Sequence, residues 1–210
     1  MSREIRDVVR SEQELRELVG TPSELARKKQ LGELDEHCRA FIARSPFLLL
    51  ATSNAAGQCD VSPKGDAPGF VLTLDPGRLV IPDRPGNRRL DGVRNILENP
   101  HVGLIFLIPG RGETLRVNGR AHVVRDEALL ERMAVNGKRP QLAIVVDVEE
   151  CFLHCAKAFL RSRLWQPDQW PDDSAVAPMA QMLLDQTRPP GLTVEDLERN
   201  LEESYRTRLY

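Results

Sequence analysis

Hydrophobic and polar positions change their period twice along the chain. Up to about residue 45 the spacing is helical, with Leu34, Cys38, Phe41 and Ile42 recurring at three- and four-residue intervals. Ser11-x-x-Glu14 and Thr21-Pro22-Ser23-Glu24 have the form of capping boxes, the second with Pro at the first helical position. Ser45-Pro46 ends the helical region. Short apolar runs then take over. Residues 47–52 and 59–63 flank the turn Asn54-Ala55-Ala56-Gly57, and 70–74 and 78–82 flank Asp75-Pro76-Gly77. A helix is predicted over about 88–98 and strands over 101–108 and 114–125, with a glycine-rich turn at 109–112 between the two strands. Gly119 marks a bulge in the second of these strands. A short helix at about 126–133 and a strand from 142 to 147, extended toward 153, complete the middle region. Helical periodicity returns at 175–186 and 193–206, joined by Arg188-Pro189-Pro190-Gly191, with Thr193-x-x-Asp196 as a cap.

Six or seven short strands, mostly consecutive or hairpin-linked, predict a mainly β (α+β) antiparallel barrel, not a doubly wound parallel sheet. The chain divides into a helical N-terminal arm (1–45), a β region (46–165) and a helical tail (166–210) that clasps the barrel or a partner subunit. At 210 residues it can bury a core without disulfides. A composition of 41% hydrophobic and 29% charged residues, with net charge −2, excludes a strongly basic nucleic-acid binder. No apolar run approaches the roughly 20 residues of a membrane helix. The polar stretch 1–10 is no secretory signal. The expectation is a cytoplasmic protein whose four cysteines are reduced.

The segment 79–100 carries the most chemistry. A short strand enters a Pro/Gly turn that delivers Asn87, Arg88 and Arg89 to the start of a helix ending at Asn99-Pro100. Such a junction can hold a phosphate through arginine forks and backbone N–H groups. The plainer alternative is two solvated arginines, although cations in a first helical turn oppose the macrodipole. Asp60-Val61-Ser62-Pro63-Lys64-Gly65-Asp66 places one lysine among small residues at a strand end, either solvated or aimed at a ligand. Lys157 and Arg161, four apart, share a helix face as a solvated basic patch or as further anion contacts. Cys151, His154 and Cys155 lack the spacing of a zinc knuckle and read as buried thiols at a strand end; no metal site is expected. No Walker loop, Rossmann glycine fingerprint, Gly-x-Ser-x-Gly elbow or His-Glu-x-x-His occurs.

Together these segments, over roughly 36–165, resemble the pyridoxamine 5′-phosphate oxidase-like, FMN-binding split-barrel family. The resemblance rests on the strand at 47–52, on Asp60 to Lys64, and on Ile81-Pro82 followed by Asn87-Arg88-Arg89. It continues through Glu98-Asn99-Pro100-His101-Val102 and Thr114-Leu115-Arg116-Val117-Asn118-Gly119-Arg120-Ala121. Cys-x-Lys-Ala at 155–158 and Arg-Ser-x-Leu-Trp at 161–165 point to an uncharacterised bacterial branch.

The resemblance implies a six-stranded Greek-key split barrel and a homodimer with FMN in a groove at the subunit interface. It implies that Arg88 and Arg89 hold the FMN phosphate beside Asn87. Ser62, Pro63 and Lys64 would meet the flavin, as would Ile81 and Pro82. Thr114 would bond the ring or ribityl chain, and Lys157, Arg161 and Ser162 are branch-specific contacts. The implied function is an FMN-dependent oxidoreductase that moves hydride or electrons between the flavin and a small-molecule substrate. The substrate-binding motifs of the authentic oxidase are missing, so that activity is not expected, and 166–210 match nothing assignable. The alternatives are a flavin- or haem-binding carrier or sensor, and a barrel that serves as an interaction module.

Overall fold

A computed structural model describes residues 6–210. Every run that the pattern marks as a strand is one: β1 (Phe47–Ser53), β2 (Cys59–Gly65), β3 (Leu72–Asp75), β4 (Arg78–Asp83), β5 (His101–Leu107), β6 (Thr114–Val124) and β7 (Leu142–His154). They form one antiparallel seven-stranded sheet in the order β2-β1-β5-β6-β7-β4-β3. With its flanking helices this is the mainly β split barrel, counted here as seven strands and not six because both arms of the 72–83 hairpin register.

Period-two alternation builds the core. Leu48 and Leu50 of β1, Leu104 and Phe106 of β5, and Leu115 and Val117 of β6 all point inward and are buried. Residues of the other parity (Phe47, Leu49, Val61, Ile105, Leu107) form an outer sheet face that stays partly exposed. The bulge falls at Asn118/Gly119, where the β6–β7 register shifts. A Cβ on Gly119 would lie 2.0 Å from the Asp147 carbonyl oxygen, so the close approach requires glycine.

Three helices precede the sheet: α1 (Glu12–Val19), α2 (Glu24–Lys28) and α3 (Glu36–Arg44). Only α3 has buried residues, Cys38, Phe41 and Ile42. The link to α3 covers the part of β7 that β4 does not reach: Leu31 and Cys151 exchange backbone hydrogen bonds of 3.0 and 2.9 Å. The caps differ from expectation in detail. Ser11 accepts from the Glu14 N–H, but the Glu14 carboxylate answers Arg10 and not Ser11, so the box is half formed. Ser23 is the cap of α2, which leaves Pro22 outside the helix.

The sheet is followed and interleaved by α4 (Asp91–Glu98), α5 (Glu127–Arg132), α6 (Lys157–Ser162), α7 (Met179–Thr187) and α8 (Val194–Thr207). Pro178 caps α7, so that helix begins four residues later than its periodicity suggests. A full capping box, Thr193 with Asp196, starts α8, which packs on α7. No described helix is long and apolar enough to cross a membrane. Cys38 and Cys151 meet in the core with sulfurs 3.8 Å apart, and burial pushes both thiols up from their ordinary range. Cys59 and Cys155 are exposed, and all four are free.

Gly119→Ala is expected to cost about 3 kcal/mol or more, because backbone must move to admit the methyl group. Urea unfolding of the purified variant measures this, and an unchanged midpoint would contradict the bulge geometry.

Candidate functional site

The site grows from the edge strand β2. Alternation turns Asp60, Ser62 and Lys64 to one side and Val61 and Pro63 to the other. Pro63 is tolerated because an edge strand needs no second ladder. The first turn of α4 lies over this row: a Cβ on Gly92 would sit 3.7 Å from each of Asp60 Oδ2, Ser62 Oγ and Thr52 Oγ1. Two amides tie α4 down, Asn95 donating to Thr52 Oγ1 at 3.0 Å and Asn99 to Ser53 Oγ at 2.9 Å.

Lys64 reaches from the end of β2 to the end of β4, where its Nζ lies 2.9 Å from Asp83 Oδ1. Both side chains are largely buried. Four strands separate β2 from β4 in the sheet order, so this pair joins two distant parts of the sheet. It brings Ser62, Pro63 and Lys64 beside the strand end that carries Ile81 and Pro82, both buried.

A second ion pair stands next to the first. Asp66, whose carboxylate is only 2% exposed, accepts from Arg84 Nε at 2.7 Å. It also accepts from the Tyr210 hydroxyl at 2.7 Å and from the Ala67 N–H at 2.8 Å. Arg84 donates to the Met133 carbonyl and lies over the Tyr210 ring. Burial alone would raise the Asp66 carboxyl. The bonds from Tyr210, Ala67 and Arg84 outweigh it and hold the group below the usual carboxylate range.

The arginine turn differs from expectation. The helix starts at Asp91, and Arg88 and Leu90 both adopt the left-handed conformation, with φ of 63° and 57°. Arg88 and Arg89 therefore precede the helix and do not occupy its first turn. Asp91 takes the favourable acidic place there and accepts from Arg89 Nε at 2.8 Å. Asn87 organises the turn by accepting from the Arg89 N–H at 3.0 Å. Arg88 is exposed and has no ion-pair partner among the described residues. Behind Arg89 opens a polar cleft of about 320 Å³, lined by Asp60, Asp91 and Arg94 among others.

The remaining predicted residues lie elsewhere. Thr114 begins β6, buried, with the parity opposite to Leu115 and Val117. Lys157, Arg161 and Ser162 are exposed on α6. That helix is tied to the turn before β6, since Phe159 stacks on Trp165 and Trp165 donates to the Arg111 carbonyl at 2.7 Å. Strand β7 runs between the two groups: Ile81 and Pro82 pair with Ile144 and Ala143 at its start, Thr114 with His154 at its end. At about 3.3 Å per residue that is roughly 35 Å along the strand. One chain thus gathers residues 62–64, 81–82 and 87–89 into one group and keeps Thr114 and α6 in another. The ionic partners Asp66, Asp83, Arg84, Asp91 and Tyr210 were not singled out from sequence. Four of them, Asp66, Asp83, Arg84 and Asp91, fall inside the quoted stretches 60–66 and 79–100, and Tyr210 carried no signal.

A family model described as pyridoxamine 5′-phosphate oxidase matches residues 34–155. No protein of curated function matches in sequence. Among solved structures, HupZ of Group A Streptococcus is 20% identical over 57% of this chain and 93% of its own, with a TM-score of 0.46. An FMN-binding protein from Syntrophomonas wolfei is 10% identical over 55% and 86%, at 0.42. HutZ, a heme storage protein from Vibrio cholerae, is 17% identical over 58% and 94%, at 0.40.

The Asp66 pair has a testable sign. Its folded-state pKa is depressed, so its stabilisation is present above the unfolded value, about 3.9, and is lost as pH falls through the lower folded value. Asp66→Asn is expected to cost about 3 kcal/mol at pH 7, because it leaves Arg84 unpaired. The gap from the parent should shrink below about pH 4, as urea midpoints across pH would record.

Proposed function

The chain belongs to the pyridoxamine 5′-phosphate oxidase family, and from that membership we propose that it is an FMN-binding flavoprotein and an oxidoreductase acting on a small molecule. The observation that carries the reading is Arg88, an exposed guanidinium without a counter-ion, next to Arg89 and beside the two strand ends joined by Lys64 and Asp83. A phosphate near charge −2 fits that turn. Charge-assisted bonds from the two arginines are worth about 1.5–3 kcal/mol each. The turn N–H groups and the nearby start of α4 add favourable dipoles.

FMN, when bound, supplies the hydride- and electron-transfer chemistry. The residues of this chain bind and orient it. Ser62, Pro63 and Lys64 together with Ile81 and Pro82 would line the ring's edge. The Lys64 charge, held in place by Asp83, would favour an electron-rich ring edge. No side chain is needed as a nucleophile. The missing substrate motifs of the authentic oxidase set this reading apart from pyridoxamine phosphate oxidation.

We also propose a homodimer with two composite sites. Two observations support it: the distance along β7 between the two groups of predicted residues, and the apolar outer face of β2, β1 and β5, only partly covered in one chain. A partner protomer covering that face would supply Thr114, Lys157, Arg161 and Ser162 to the first protomer's arginine turn.

Pure protein is expected to take up FMN, seen as a flavin spectrum after desalting, and to bleach with a reduced nicotinamide donor. Stable colour without bleaching would favour a carrier, and uptake of haem instead of FMN would overturn the flavin assignment. Arg88→Ala with Arg89→Ala should weaken FMN binding by at least about a hundredfold, or roughly 3 kcal/mol; unchanged fluorescence-quenching titrations would refute the phosphate assignment. Mixing that double variant with Lys157→Ala/Arg161→Ala/Ser162→Ala should restore one intact site per heterodimer. Equilibrium dialysis would then show recovered FMN binding, whereas no recovery would place both groups in one protomer's site.

A further inference from the structure

Next to Thr114, the outer side of β6 and β7 gathers positive charge around one aromatic ring. Thr114 lies opposite His154 and Arg116 opposite Phe152, so the four share the face turned away from the core. The Arg116 guanidinium is 5.4 Å from the Phe152 ring centre, and Lys29 Nζ is 5.5 Å from it. The His154 ring lies 6.1 Å from the same centre. Lys29 comes from the N-terminal arm, pinned by the Leu31–Cys151 bridge, and donates to the Leu153 carbonyl at 2.7 Å.

None of the three basic groups has an ion-pair partner among the described residues. The carboxylate on this face, Glu150, is taken up by the amides of Asn118 and Gln30. These neutral amides leave Glu150 its charge, but it pairs with neither cation, and Lys29 and Arg116 together keep the face net positive. Desolvation, with the charges of Arg116 and Lys29, holds the His154 imidazole below its ordinary range. A neutral imidazole still offers one N–H to an anion. Cation–π contact with Phe152 orients both cations without neutralising them.

We propose that Lys29, Arg116 and His154 form an anion subsite for a carboxylate, whose oxygens meet the cations that Phe152 orients. Charge-assisted bonds to carboxylate are the strong ones, and Arg116 offers a planar fork matched to them. The subsite's place beside Thr114 gives it a role that rests on the flavin reading: it holds the anionic group of the molecule that meets the ring.

The test is a 19F NMR titration of the full chain with 4-fluorobenzoate at fixed ionic strength, with and without FMN, and with 4-fluorobenzyl alcohol as the uncharged control. Saturable binding of the carboxylate but not of the alcohol is expected. Arg116→Gln and Lys29→Gln should each weaken it about tenfold, the loss of one charge-assisted bond. Lys29 is exposed at the end of α2, so its substitution does not endanger the fold. Absence of saturable binding, or affinity unchanged in both variants, would overturn the subsite. Carboxylate binding that follows the variants in a protein that never takes up FMN would leave the subsite standing and remove the flavin reading. FMN uptake without carboxylate binding would do the reverse.

Discussion

The ion pair between Lys64 and Asp83 is the constraint on which the rest of the site depends. It links strands that are separated by four others in the sheet, so it can form only if the sheet curls back on itself. Hydrophobic burial supplies the drive to curl, but it is non-directional. A charged pair with a 2.9 Å separation sets which residues of the two strand ends face each other. Both side chains are largely buried, so loss of either partner would leave a poorly solvated charge behind. The neighbouring Asp66–Arg84 pair repeats the device two residues further along and recruits Tyr210 from the far end of the chain.

These polar contacts show why a mainly apolar barrel carries much of its chemistry at strand ends and turns. The core face of each strand is committed to packing, and the outer face of β2, β1 and β5 is apolar and only partly covered. Side chains with charge or hydroxyl groups are left to the strand ends and the turns. The length of β7 then imposes a geometry. A long, gently bulged strand holds its two ends apart, with the arginine turn near one end and Thr114 at the other. The two groups of residues therefore lie far apart within one chain.

Much of the fold was legible because its signals are local. Seven apolar runs, each bounded by Gly, Pro or Asn turns, became seven strands, and the bulge glycine was readable from its place inside an alternating run. The failures share one cause. Pro22 and the residues before Asp91 were placed inside helices because motif and periodicity mark where a helix can begin, and the capping contact decides where it does. The helix-dipole argument for Arg88 and Arg89 falls away, because both precede the helix, in a turn where Arg88 and Leu90 are left-handed.

Read alone, the sequence determined the strand and helix content, the antiparallel class, the bulge and the motif stretches that hold charge. All of these follow from spacing and from the conformational limits of single residues. The pairing of Lys64 with Asp83, of Asp66 with Arg84 and Tyr210, and of Arg89 with Asp91 was left to the tertiary structure. So was the gathering of Lys29, Arg116 and His154 around Phe152. Local spacing cannot rank the many carboxylates available to each cation, and only chain closure brings one of them within a few ångströms.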